Sequence, residues 1–541
     1  MNRQNKKQST STEEKIFWLC LCGAFCLSIC FIALKGRKYL DSDMSSEMIL
    51  ANLLNQEGGI LSKNWYYSTE LRVFCLQPFY RIGLLLQPHD WYAARVIGQA
   101  LCLLATIASY LYIGHQLNLR YNGLLSAIAF ACPFGTWYLL YGIYGGYYLP
   151  HMMLLMLCFG LSLALLKEAG RGRKAWRFGL YLVVCLVSGL NGVKSIMALF
   201  APLLMASAVV FVEQLHTEGY KKSTRDYLII SAVGFLMGAA GYIINSKVLT
   251  VNYHFPDYTS YRWGAISLAS ILDSLSSLIG LFGFQTDSAW PTTPEIFSIR
   301  GLLGLFGLVM AAALVFSVVR LFVQWKKLGF STRILLLTFS FGVVLQGFMF
   351  ETFGGGLFKG PRYWLTCLPL AFAVIHAEIE AEDYRYEVSR RIAGVGFLFC
   401  IACTSAASIL TFMKNPLLAR TELKPLSDWL VEQGYTQGYA TFWNGNVLTE
   451  WSSNQLEMWL VDDLSDPQPK QWLQYTSHNT PPEGPLVLVT DKGELEKSGL
   501  EDLYGAENMI YENHSGYLVF DYDSYDEMVE QLKAACSQPG E

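Results

Sequence analysis

Apolar runs of membrane-spanning length recur along the first three quarters of the chain, and polar, turn-rich sequence fills the last quarter. A helix rises 1.5 Å per residue, so about 20 apolar residues cross a bilayer core. The pattern predicts about eleven such spans. They lie near 16–34, 92–113, 121–140, 147–166, 178–190, 193–212, 227–246, 299–322, 333–352, 363–378 and 392–413. Two of them, 178–190 and 193–212, form one stretch interrupted at Gly189-Leu190-Asn191-Gly192, which predicts two short helices meeting at a non-helical corner. Such a corner is tolerated at membrane depth only where protein buries it or where it lines a wet cavity. Residues 265–283 are long enough to span. However, Leu268, Ile271, Leu272, Leu275, Leu278, Ile279 and Phe282 share one helical face, and Ser267, Ser270, Asp273, Ser274 and Ser277 share the other. That is the pattern of an amphipathic interfacial helix.

Two regions outside the spans are large. In the loop 35–91, Asp43 is placed to cap a helix over 44–56, with Gly58-Gly59 as its stop. Beyond residue 413 the alternation changes. Residues 426–432 read as a helix, 438–442, 456–461, 486–490 and 516–520 as strands, and 524–535 as a last helix. The expected fold class is an α-helical polytopic membrane domain followed by a soluble α/β domain. The expected division is a cytoplasmic tail at 1–15, a membrane domain at 16–413 including the outer loop 35–91, and an extracytoplasmic domain at 414–541.

Composition agrees with this pattern. Of 541 residues, 52% are hydrophobic and 16% charged, against roughly 25% charged in soluble proteins. The net charge of −4 and the lack of a strongly basic domain argue against a nucleic-acid partner. Most of the 13 cysteines lie in apolar runs, which argues against a disulfide framework, and none has zinc-type spacing with histidine. The first run lacks a small-residue cleavage site and is followed by Lys35-Gly36-Arg37-Lys38, so it reads as a retained span. Lys and Arg concentrate near Lys15, Arg171–Arg177, Lys221–Arg225, Lys326–Arg333 and Arg385–Arg391, which places those segments inside, at a plasma membrane. An odd number of spans then puts the C-terminal domain outside.

The candidate chemistry maps to that outer face. Asp41, Asp43 and Glu47 follow the first span. A carboxylate there can take the proton of an attacking hydroxyl. The Asp-x-Asp spacing can instead hold a hard divalent cation, Mg or Mn, or simply cap a solvated helix. Glu70 and Arg72 read either as an internal ion pair or as ligands for sugar hydroxyls and phosphate. Lys194 sits at the broken-helix corner, where a cation neutralises a lipid phosphate or snorkels to the headgroups. His151 lies at the outer end of the fourth span. Lys359, Arg362 and Tyr363 open the tenth, and Arg362 suits bidentate phosphate binding. Glu351, at the outer end of the ninth span, can partner either cation. No phosphate-binding loop of the nucleotide type and no Gly-x-Ser-x-Gly elbow is present, so a soluble nucleotide is not indicated as energy source.

The acidic Asp41-Ser42-Asp43 loop, Gly192-Val193-Lys194 at the broken helix pair and Pro361-Arg362-Tyr363-Trp364 resemble the GT-C superfamily of membrane glycosyltransferases. The tail segments Leu426-Ser427-Asp428-Trp429-Leu430 and 438–446 add to the likeness, which covers layout more than letters. Relatives of the protein mannosyltransferase and aminoarabinose transferase kind look most similar in architecture. The resemblance implies transfer of a sugar from a polyprenyl-phosphate donor to a glycan, lipid or protein acceptor at the outer face, usually with inversion. It implies Asp41 or Asp43 as base, with Lys194 and Arg362 on phosphate. The protein mannosyltransferases carry an adjacent Asp-Glu pair there, whereas the acids here are spaced. Two other classes fit the same composition: a flippase or transporter for lipid-linked sugars, and a non-catalytic subunit of cell-envelope assembly. A transporter favours midplane charges and repeat symmetry; here the charges gather at one surface and no repeat is visible.

Overall fold

The computed structural model describes residues 12–68, 71–167, 171–254, 267–284, 296–353, 360–381, 387–414 and 422–536. The chain divides into two compact units. One takes Met1–Cys30, Leu101–Ile244 and Tyr261–Asn415; the other takes Phe31–Ala100, Asn245–Ser260 and Pro416–Glu541.

Eight described helices are long and apolar enough to cross a membrane, Thr12–Tyr39 first and Val388–Met413 last. Arg120–Ala131 and Thr136–Tyr144 form a ninth crossing only if counted as one broken span, because they meet at 85°. The chain is a multi-pass membrane protein. The bend corrects the straight span expected at 121–140, and its cause is local. Pro133 supplies no backbone donor and disfavours helical geometry in the residue before it, and Cys132 is extended at φ −101°, ψ 141°.

The corner expected between residues 189 and 192 is present. Helix Arg171–Leu190 ends there, and the chain resumes as a π-helical turn Ile196–Phe200 leading into helix Ala201–Thr217. Gly192 turns the backbone at φ +100°, which a side chain would oppose. The hydroxyl of Ser188 donates to Ser195 Oγ at 2.8 Å, and Ser195 Oγ donates to the Ser188 carbonyl at 3.0 Å, which staples the break.

The amphipathic segment forms helix Leu268–Gly280, with Ser267 Oγ accepting from the Ser270 amide at 3.1 Å. Its leucines Leu268, Leu272 and Leu275 are exposed, while Ser274 is buried and donates to Glu351 Oε1 at 2.5 Å. The two faces are not cleanly sorted: Ser267 and Asp273 of the polar face are exposed as well, and Phe282 of the apolar face is buried.

In the other unit the C-terminal segment builds a five-stranded mixed sheet. Its strands are β1 (Gln437–Thr441), β2 (Glu457–Val461), β3 (Leu486–Asp491), β4 (Met509–Glu512) and β5 (Tyr517–Tyr522), in the order β2-β1-β3-β5-β4. β1 runs parallel to both β2 and β3, whereas β5 is antiparallel to β3 and β4. Tyr439, Val461, Leu488, Leu518 and Phe520 alternate into the core, against Met528 and Leu532 of the last helix, Tyr525–Cys536. The sequence-predicted strands and the helices at both ends of this region are all present. The helix Phe442–Trp451 and the strand β4 were not expected.

The loop 35–91 belongs to this same unit. Helix Ser42–Glu57 ends at Gly58, which is left-handed at φ 71°. The backbone beyond it is laced to the C-terminal segment: Tyr66 N donates to the Gln474 carbonyl at 2.8 Å, Leu473 N to Tyr66 at 2.8 Å, and Thr476 N to Asn64 at 3.1 Å. The cap expected at Asp43 is made by Asp41 instead. Asp41 is extended and its Oδ1 accepts from Met44 N at 2.8 Å, while Asp43 already lies inside the first turn.

Candidate functional site

The acidic cluster follows from that helix start. Asp41 caps the helix and Asp43 stands partly exposed one residue inside it. Glu47 is buried, one turn further along. Its Oε1 lies 3.4 Å from Arg72 Nη2, and its Oε2 accepts from Gln77 Nε2 at 2.7 Å. Burial pushes the Glu47 carboxyl above the usual carboxylate range, against the pull of Arg72 and Arg95, while Asp43 adds to the rise. Arg72 also reaches Cys75 Sγ at 3.6 Å. The internal ion pair of Arg72 is thus made with Glu47. Glu70, its sequence neighbour, lies outside the described residues, as does Lys359.

Beneath this cluster sits a constellation that sequence reasoning missed. Arg95 and Glu450 are both fully buried and paired through two prongs, Nε–Oε1 at 2.6 Å and Nη2–Oε2 at 2.6 Å. Arg95 also donates to the Met44 carbonyl at 2.7 Å and to Tyr80 OH at 3.0 Å, and Tyr80 OH donates to Gln99 at 3.2 Å. The carbonyl of Met44 belongs to the first turn of the acidic helix. A buried guanidinium therefore fixes the turn that carries Asp41 and Asp43. The available signal was an arginine four residues into an apolar run, since buried charges are rare unless paired.

Among the described residues, no group of three or more His, Cys, Asp or Glu gathers as metal ligands. Asp41 already spends one oxygen on the cap.

In the membrane unit the predicted cations come together. Arg362 lies on the 3-10 segment Pro361–Cys367. It donates to Tyr363 OH at 2.8 Å and to Tyr141 OH at 3.4 Å, with its guanidinium 4.8 Å and 5.3 Å from those two ring centres. Lys194 Nζ stands 5.3 Å from the Tyr148 ring and 5.8 Å from the Tyr363 ring. Both cations therefore share Tyr363. Buried His151 lies 6.2 Å from Tyr148, ring to ring. Tyrosine faces hold a cation through their quadrupoles without neutralising it. The arrangement concentrates positive charge beside hydroxyl donors, which suits an oxyanion such as phosphate.

The sequence matches no family model and no curated protein. Comparison with solved structures shows the fold. The chain is similar to ArnT from Cupriavidus metallidurans bound to undecaprenyl phosphate, at a TM-score of 0.56 and 11% identity over 95% of this chain and 98% of that one. The apo form of ArnT gives 0.55 and 12%, covering 97% and 100%. The archaeal oligosaccharyltransferase AglB from Archaeoglobus fulgidus, in complex with an inhibitory peptide and a dolichol-phosphate, gives 0.51 and 11%, covering 97% and 78%. The chain has the fold of ArnT and AglB.

Proposed function

We propose that this protein is a membrane glycosyltransferase. It moves a sugar from a polyprenyl-phosphate donor to an acceptor hydroxyl, with inversion at the anomeric carbon. The observation that carries this reading is the convergence of Lys194 and Arg362 on Tyr363, in a fold shared with a protein solved with undecaprenyl phosphate bound. In the proposed step a carboxylate of the Asp41–Asp43 turn takes the acceptor proton. The acceptor oxygen bonds to the anomeric carbon, and the bond from that carbon to the phosphate oxygen breaks. The electron pair leaves with the polyprenyl phosphate, whose charge Lys194 and Arg362 stabilise. His151, Tyr363 and Lys359 are further donor contacts, Arg72 contacts the sugar, and Glu70 is a further catalytic carboxylate of the same loop. Glu47 acts through its ion pair with Arg72.

The proposed layout has eleven crossings. The bent pair, helix Arg171–Leu190, and Pro361–Cys367 with Leu368–Ile379 are counted with the eight long helices. Residues 1–15 form a cytoplasmic tail and 414–541 an extracytoplasmic domain, in agreement with the Lys and Arg bias. A reporter fused after Glu541 that works only in the cytoplasm would contradict this orientation. The function itself is tested by binding of undecaprenyl phosphate to the purified protein. Saturable binding supports the reading, and its absence removes it.

A further inference from the structure

The C-terminal sheet carries a cavity of about 540 Å³. Its walls come from the chain at and just beyond the ends of three parallel strands: Thr441–Trp443 at the end of β1, Asp462 and Asp463 after β2, and Glu494 and Lys497 after β3. β1 lies beside β3, and the chain leaves β1 toward β2 but leaves β3 toward β4 and β5, so the connections leaving β1 and β3 diverge to opposite sides. Divergence at the carboxyl ends of parallel strands opens a crevice, and ligands of α/β sheets bind in such crevices.

The lining chooses the ligand. Four carboxylates face two ammonium groups, and one of the four is Asp43. Lys470 is paired with Asp462, which offsets one positive charge. That balance disfavours a phosphate or another anion. Trp443 is 51% exposed although the rest of its helix is buried, and Trp472 lines the same wall. An exposed indole beside convergent carboxylates can offer a negative ring face to C–H edges and acceptors to hydroxyls. Glu494 is held in place on this wall. It accepts from Asn444 Nδ2 at 3.1 Å, from Thr490 Oγ1 at 3.1 Å and from the Thr441 hydroxyl.

We infer that this crevice is a carbohydrate-binding site that holds a neutral sugar of the acceptor, with Trp443 as its stacking platform. The assignment to acceptor rather than donor rests on the glycosyltransferase reading, because Asp43 lines the crevice.

The test uses saturation-transfer NMR on the purified full-length protein without any donor. The probes are the methyl glycosides of glucose, galactose, mannose and N-acetylglucosamine. At least one should bind, inorganic phosphate should not compete, and Trp443→Ala should weaken binding about tenfold or more. Trp443→Phe keeps a ring and should retain most of the affinity. Binding of none of the four, displacement by phosphate, or full affinity in Trp443→Ala would each overturn the inference. Donor turnover is measured on the same preparations. Sugar binding that follows Trp443 without any donor turnover overturns the glycosyltransferase reading and leaves the sugar site standing. Turnover in the parent with no Trp443-dependent binding does the reverse.

Discussion

Arg95 and Glu450, 355 residues apart in sequence, meet in a fully buried two-pronged ion pair with both contacts at 2.6 Å. The same guanidinium binds the Met44 carbonyl, so the pair ties the helix start bearing Asp41 and Asp43 to the helix Phe442–Trp451.

Breaking this pair from one side leaves a buried charge without its partner. Glu450→Gln should therefore cost about 3–5 kcal/mol of stability. The loss is read as a lowered unfolding midpoint of the solubilised protein. Replacing both partners with apolar residues of similar volume should recover much of it. An unchanged midpoint in Glu450→Gln would show that the pair does not hold this turn.

Lys194 and Arg362 are expected to bind donor phosphate. A charge-assisted hydrogen bond is worth about 1.5–3 kcal/mol, so Lys194→Ala and Arg362→Ala should each weaken undecaprenyl-phosphate binding about tenfold to a hundredfold. Arg362→Lys keeps the charge but loses the planar fork, and should recover only part of the affinity. Parent-like binding in both alanine variants, measured by equilibrium binding, would remove these residues from the donor site.

Asp41 and Asp43 are separated by their asparagine variants. Asparagine caps a helix about as well as aspartate, so Asp41→Asn removes basicity while leaving the cap in place. The variant of the base should turn over about 10²–10⁴ times more slowly while still binding donor. Asp41→Ala should in addition lose about 0.5–2 kcal/mol of stability. Full turnover in both asparagine variants would move the base elsewhere, with Glu47 or Glu70 next.

Much of this arrangement was legible in the sequence. The broken corner at Gly192, the amphipathic helix 268–280 and four of the five strands follow from local pattern. What pattern could not show is tertiary. Helix Phe442–Trp451 begins with Asn444, Gly445 and Asn446 in its first turns, which are poor helix formers, and packing overrides that preference. Asp41 and Asp43 both satisfy the sequence rule for a cap, and only the backbone geometry decides between them. Arg95 could be flagged as a charge in an apolar run, but its partner at Glu450 could not be read from local sequence. The convergence of Lys194, Arg362 and Tyr363 joins segments 168 residues apart and was predicted only as far as the shared outer face.

Glu494 gives the sheet domain a pH signature. Burial pushes its carboxyl above the ordinary carboxylate value, more than its hydrogen bonds to Thr441 and Thr490 pull it down. The folded state then holds this proton more tightly than the unfolded state. Its contribution is fully present below the unfolded value of about 4.3 and is lost as pH rises through the higher folded value. The unfolding midpoint of Glu494→Gln, compared with the parent from pH 4 upward, should therefore gain on the parent as pH rises. A difference independent of pH would contradict the assigned shift.

The most direct measurement is transfer itself. Purified protein in lipid nanodiscs is incubated with a panel of polyprenyl-phosphate sugars and a glycan-bearing membrane extract, and free polyprenyl phosphate and product are followed by mass spectrometry. The account predicts release of polyprenyl phosphate matched mole for mole by an inverted glycoside, abolished in the Lys194→Ala/Arg362→Ala double variant. Donor that stays intact with every sugar tested, or that crosses the bilayer unchanged, would contradict it and favour a transporter.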